Sequence, residues 1–146
     1  MPHITAQVSP LGPLLDVRVG VSLPRQEALQ KANAAVPVAV PARLLIDTGT
    51  SGTVLDPAII SQLGTTSTGI MTAHTPSTQQ GAPGEFNQFD VSLHIPTLTL
   101  TRSFQALPVG ESGFKHQGFD CLLGRDVLAQ CLLIYTGPDN AYLLSI

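Results

Sequence analysis

Arg43-Leu44-Leu45-Ile46-Asp47-Thr48-Gly49-Thr50-Ser51 is an apolar run that stops at a carboxylate, followed by a hydroxyl residue and a glycine. Leu44, Leu45 and Ile46 read as a buried strand. Such a strand delivers Asp47 to the rim of a core, where its charge is poorly solvated. Gly49 permits a tight turn or the close approach of another backbone. Asp-x-Gly is also ordinary turn chemistry, so the flanking segments decide what this one is. Asp-Thr-Gly occurs once in the 146 residues.

Upstream, Leu15, Val17, Val19, Val21 and Leu23 alternate with Asp16, Arg18, Gly20 and Ser22, the period of a half-buried strand. Residues 24–35 change character, and Glu27 with Lys31 makes an i,i+4 pair on a short helix or ordered insertion. Val36, Val38 and Val40 resume alternation, with Pro37 and Pro41 arguing for a sheet edge.

Downstream, Asp56, Pro57 and Gly64 are the N-cap, first-turn and stop residues of a helix over 57–63. Residues 64–84, rich in Gly, Thr, Ser, Pro and Gln, read as a long hairpin or loop. Phe89, Val91, Leu93 and Ile95 define a strand, and Leu98 with Leu100 the next. Asp120-Cys121-Leu122-Leu123-Gly124 is a second apolar strand ending in glycine, followed by a helical turn at Arg125–Gln130. Cys131 to Tyr135 and Ala141 to Ile146 flank Gly137-Pro138-Asp139-Asn140 as a closing hairpin. The expected fold is all-β with two short helices in one domain.

Two motifs in order, Leu45-Ile46-Asp47-Thr48-Gly49-Thr50 and then Leu122-Leu123-Gly124-Arg125, resemble those of the retropepsin-like aspartic proteases. The resemblance runs over about residues 14–146, with an insertion near 24–42. It implies a closed barrel, a flap hairpin over a cleft within 64–84, and half of a twofold dimer. One Asp-Thr-Gly per chain implies that Asp47 meets Asp47 of a second copy, since one carboxylate must take a proton from water while another donates to the scissile carbonyl. Two acids sharing one proton titrate jointly, which implies activity on the acidic side of neutrality.

The resemblance also distributes supporting roles. Thr48 would clasp its symmetry mate and Gly49 would offer its carbonyl to a bound peptide. The Thr50 hydroxyl would donate to the outer oxygen of Asp47. Leu122, Leu123 and Gly124 would buttress the catalytic loop. Met71, Thr72, His74, Thr75 and Ser77 would line or cover the cleft. Two departures stand out: Ser51 and Gly52 replace acidic residues common in the viral enzymes, which deprives Arg125 of its partner there. The chain also carries an extra closing hairpin, through which dimerisation is expected.

A net charge of −3, with scattered Lys and Arg, argues against nucleic acid and against an acidic membrane surface as partners. No apolar run has the length of a membrane span. Cys121 and Cys131, in apolar surroundings, read as buried free thiols of a reducing, cytoplasmic setting. His3, His74, His94 and His116 have no metal-ligand spacing, so no metal or cofactor is expected. His94, Asp90 and Asp120 read as exposed strand residues, and Asp126 as a helix cap. Ile46–Thr53 also resembles the phosphate loop of actin-like sugar kinases, but those domains need a far longer chain and place a strand after the loop, where Asp56-Pro57 predicts a helix. The expected activity is an aspartic endopeptidase on extended peptides, working as a homodimer. The alternative is a catalytically weak dimerisation or peptide-binding module.

Overall fold

Period-two alternation builds the wall of a barrel. The computed structural model describes residues 1–75, 78 and 80–146. Its strands are β1 (His3–Gln7), β2 (Leu14–Val21), β3 (Val40–Ile46), β4 (Val54–Leu55), β5 (Gly69–Ala73), β6 (Gly84–Pro96), β7 (Thr101–Glu111), β8 (Cys121–Leu123), β9 (Leu132–Thr136) and β10 (Ala141–Ser145). In the larger sheet the order is β2-β3-β8-β4-β7-β6-β5, and β6 pairs back onto β2. That return closes six strands into a barrel and leaves β5 outside it, hydrogen-bonded to the first residues of β6. Val17, Val19, Leu44, Val91, Leu93, Val109 and Leu123 point inward and are nearly solvent-free.

A second sheet of order β1-β10-β9 packs against the barrel through Tyr142 and Leu144, both buried. The Tyr142 hydroxyl donates to the Leu14 carbonyl, tying the two sheets together. Strand β1 has no counterpart in the sequence reading, because its five residues carry no clear apolar period.

Helix α2 (Pro57–Leu63) forms where Asp56, Pro57 and Gly64 place it, with Gly64 left-handed at φ 59°. It buries Ile59, Ile60 and Leu63 against the barrel, each contributing about 1.5–3 kcal/mol. Among the described residues there are three α-helices rather than two, because the insertion supplies α1 (Leu23–Lys31) and the Gly124 motif leads into α3 (Arg125–Leu128).

Three further expectations are corrected. Val36 and Val38 lie outside any strand and Val38 is exposed, since the chain leaves α1 irregularly and only Val40 enters β3. Leu98 and Leu100 sit in the turn between β6 and β7, where Thr97 Oγ1 donates to the Leu100 carbonyl. Glu27 and Lys31 form no ion pair; among the described residues the one pair is Arg43 with Asp16, at 3.4 Å.

Candidate active site

Strand β3 runs in parallel beside β8, pairing Leu45 with Leu122 and Ile46 with Leu123. The ladder ends at Asp47, whose amide donates to the Leu123 carbonyl at 3.1 Å. Asp47 is therefore half-buried at the open end of the barrel. Its Oδ1 accepts the Gly49 amide at 2.8 Å, which folds the loop back on the carboxylate. Thr48 and Gly49 project outward and are exposed, while Thr50 turns inward and is fully buried.

The segment after β8 locks this loop from below. Arg125 N donates to the Thr50 carbonyl at 2.9 Å and Asp126 N to the Ser51 carbonyl at 3.2 Å. A side chain at Gly124 would collide with the Gly52 backbone, so glycine is required for this close approach. The Asp126 carboxylate accepts both Thr53 N (2.9 Å) and Thr53 Oγ1 (2.8 Å), and Gly124 N donates to Thr53 Oγ1. Asp126 thus joins two segments far apart in sequence; it also accepts its neighbour Val127 N, while the N-cap position of α3 belongs to Gly124.

Arg125 has a partner after all: its Nη1 donates to the Thr48 carbonyl at 2.8 Å. The guanidinium is thus bonded to the backbone of the Asp47 loop. The Thr50 hydroxyl does not reach Asp47, and within the chain it has no hydrogen-bond partner among the described residues. Buried hydroxyls are seldom left this way.

Of the residues expected around the cleft, Thr75 lines it together with Asp47. Met71 lies over Gly52, where a side chain would collide with its terminal methyl, whereas at Gly110 the nearer obstacle is Phe86. His74 reaches the Asp47 loop through its backbone: Ser51 N donates to the His74 carbonyl (2.9 Å) and His74 N to Ser51 Oγ (2.8 Å). Thr72 faces outward on β5, opposite Glu85, because it alternates with the inward Met71 and Ala73. Ser77 lies outside the described residues.

The cleft encloses about 550 Å³ and runs from Asp47 between β3–β8 and the 112–119 segment. Leu45, Leu122, Phe86, Phe114 and Phe119 are among the residues that line it. The Phe114 and Phe119 rings stack with centroids 5.5 Å apart. These aromatics escaped the sequence reading because no periodicity marks them; only their flanking Gly113 and Gly118 hint at an irregular segment.

The remaining polar residues settle into structural places. His94 is half-buried rather than a simple surface residue, with its ring nitrogens 3.0 Å from Ser92 Oγ and 2.8 Å from Ser103 Oγ. Asp120 is also half-buried, and its Oδ2 accepts Arg43 N. Asp90, read as exposed, is half-buried too. Cys121 and Cys131 are free thiols, and burial pushes the Cys121 thiol far above its ordinary value. Among the described residues no cluster of His, Cys, Asp and Glu could hold a metal ion, and no helix is long and apolar enough to cross a membrane.

No family model matches this chain, and no curated protein matches it significantly.

Proposed function

We propose that the chain is one half of an aspartic endopeptidase, with Asp47 of two copies forming the catalytic pair. The observation that carries the reading is the setting of Asp47: held by Leu123 and Gly49 at the mouth of an apolar cleft, beside an exposed Thr48-Gly49 turn. A water between two such carboxylates is deprotonated by the ionised one, while the protonated one donates to the scissile carbonyl. Two acids in contact cannot both ionise, so the pair retains one proton between them. The β5–β6 hairpin serves as the flap, and an extended peptide adds as a strand beneath it.

One carboxylate per chain makes the second copy part of the site. Strand β9 is the surface proposed for it. It is an edge strand with Leu132, Ile134 and Tyr135 exposed, and it carries no Lys, Pro or acid to blunt that edge. It also follows α3, the element whose first residue bonds the Thr48 carbonyl.

The test is cleavage of a peptide library between about pH 3 and 8 by wild type and Asp47→Asn, with dimerisation followed by sedimentation. The reading expects Asp47→Asn to lose at least about 10²-fold in rate while dimerisation and peptide binding persist. Ile134→Lys should release monomers and lose activity that higher protein concentration restores. Peptide binding without cleavage by wild type would instead support a binding module.

A further inference from the structure

Asp56 is a carboxylate that the catalytic loop does not use, yet it is only 5% exposed. A helix cap needs one oxygen, and Oδ1 supplies it by accepting Ala58 N at 2.9 Å. The other oxygen leaves the helix altogether. Oδ2 accepts Phe114 N at 2.7 Å and Lys115 N at 2.8 Å, fifty-eight and fifty-nine residues away. The backbone joins in: Asp56 N donates to the Asp120 carbonyl, and Ser112 N to the Leu55 carbonyl. The segment from Ser112 to Asp120 is thus tied at its start to Leu55, at Phe114 and Lys115 to the Asp56 carboxylate, and at Asp120 to both Asp56 and Arg43.

That segment is one side of the cleft. Ser112, Phe114, Gln117 and Phe119 line it together with Asp47, whereas Asp56 itself does not. We propose that Asp56 is a positioning residue: its carboxylate suspends the Phe114–Phe119 wall and so sets which side chain beside the scissile bond the cleft accepts. The proposal rests on the endopeptidase reading for its substrate, but not for the suspension itself. The lining chemistry is apolar and aromatic, which fits a large aromatic side chain packed against Phe114 and Phe119. Charge-assisted bonds to two consecutive amides fix the backbone that carries Phe114 more firmly than neutral ones would.

Asp56→Asn and Asp56→Ser separate the cap from the suspension. Both residues remain good helix N-caps. Asparagine turns one oxygen into a donor facing donors, and the short serine hydroxyl cannot serve both partners. Amide hydrogen exchange should speed up by about tenfold or more at Phe114 and Lys115, with Asp47 and Arg125 amides unchanged. Two peptides differing only in Phe or Ala beside the cleaved bond supply the second readout. For the Phe peptide KM should rise at least about tenfold with kcat held within about twofold, and the Ala peptide should be unaffected.

Unaltered exchange at Phe114 and Lys115 in both variants overturns the suspension. Altered exchange with equal losses on both peptides, or with none, overturns the role in selection. If wild type cleaves neither peptide, the endopeptidase reading falls on its own. Calorimetric binding of the same two peptides then decides: loss of Phe preference in the variants supports the proposal, and its persistence, or no binding by wild type, overturns it.

Discussion

Residues 47–57 and residues 22–39 each follow a long barrel strand, and both contain turn, cap and proline signals, the first also holding the two-residue strand β4. They are held in opposite ways. The first segment is bonded to β8, α3, the β5–β6 hairpin and the 112–120 wall, and Thr50, Thr53 and Asp56 within it are buried polar residues. The second forms α1, which buries none of its residues and makes no side-chain cap. Irregular backbone becomes a site only where distant segments supply its hydrogen-bond partners. Elsewhere it is a tolerated excursion.

Substitutions can break or sharpen that contrast. Gly124→Ala forces a methyl group into the Gly52 backbone, and urea denaturation should show a loss of about 3 kcal/mol or more. Gly137→Ala, with open space around it, should stay within about 0.5 kcal/mol. Equal effects at the two glycines would remove the claim that the loop is the tighter region.

Asp126→Ala strips Thr53 of acceptors for its amide and hydroxyl. The expected cost is about 2 kcal/mol, read from the same denaturation curves and recovered in part by Asp126→Asn.

Smaller again is the pH dependence owed to Asp56. Burial alone would raise its carboxyl, but the amides of Ala58, Phe114 and Lys115, with the Lys115 charge, outweigh it and hold the group below its ordinary 3.8. A lowered folded-state value means that the unfolded chain takes up the proton first as pH falls. The stabilisation is thus complete above about pH 5 and fades below the ordinary value. Thermal melts of wild type and Asp56→Ser from about pH 6 to 2.5 should converge at the acid end. Parallel curves would show that the ionised form has no special hold on the wall.

The smallest effect belongs to the insertion. Glu27→Ala should change stability by less than about 0.5 kcal/mol, since the side chain makes no ion pair there. A loss above about 1 kcal/mol would place α1 against a surface that the single chain does not display.

Much of the site was legible because it is written in local chemistry. An apolar strand that ends in Asp-Thr-Gly, and another that ends in Gly-Arg, mark two strand ends, and strand pairing brings them together. Asp56-Pro57 announced a helix, because a cap acts within its own turn. The second oxygen of Asp56 could not be read, since its partners lie across the barrel mouth. The partner of Arg125 is not legible in the sequence once the acidic neighbours of the viral enzymes are missing, because a backbone carbonyl serves a guanidinium equally well. The strand expected at Leu98 and Leu100 failed for a related reason: alternation over three residues cannot distinguish a strand from a tight turn.

The sequence alone determined the alternating strands, the helix between Asp56 and Gly64, and the lone carboxylate at the end of β3. All of these depend on neighbours within a few residues. Tertiary structure alone decided that β6 closes onto β2, that Asp126 holds Thr53, and that the Asp56 carboxylate bonds Phe114 and Lys115 in the cleft-lining segment. Those outcomes turn on which buried donors and acceptors can find each other once water is excluded. That pairing is a property of the closed barrel, which no short stretch of chain contains.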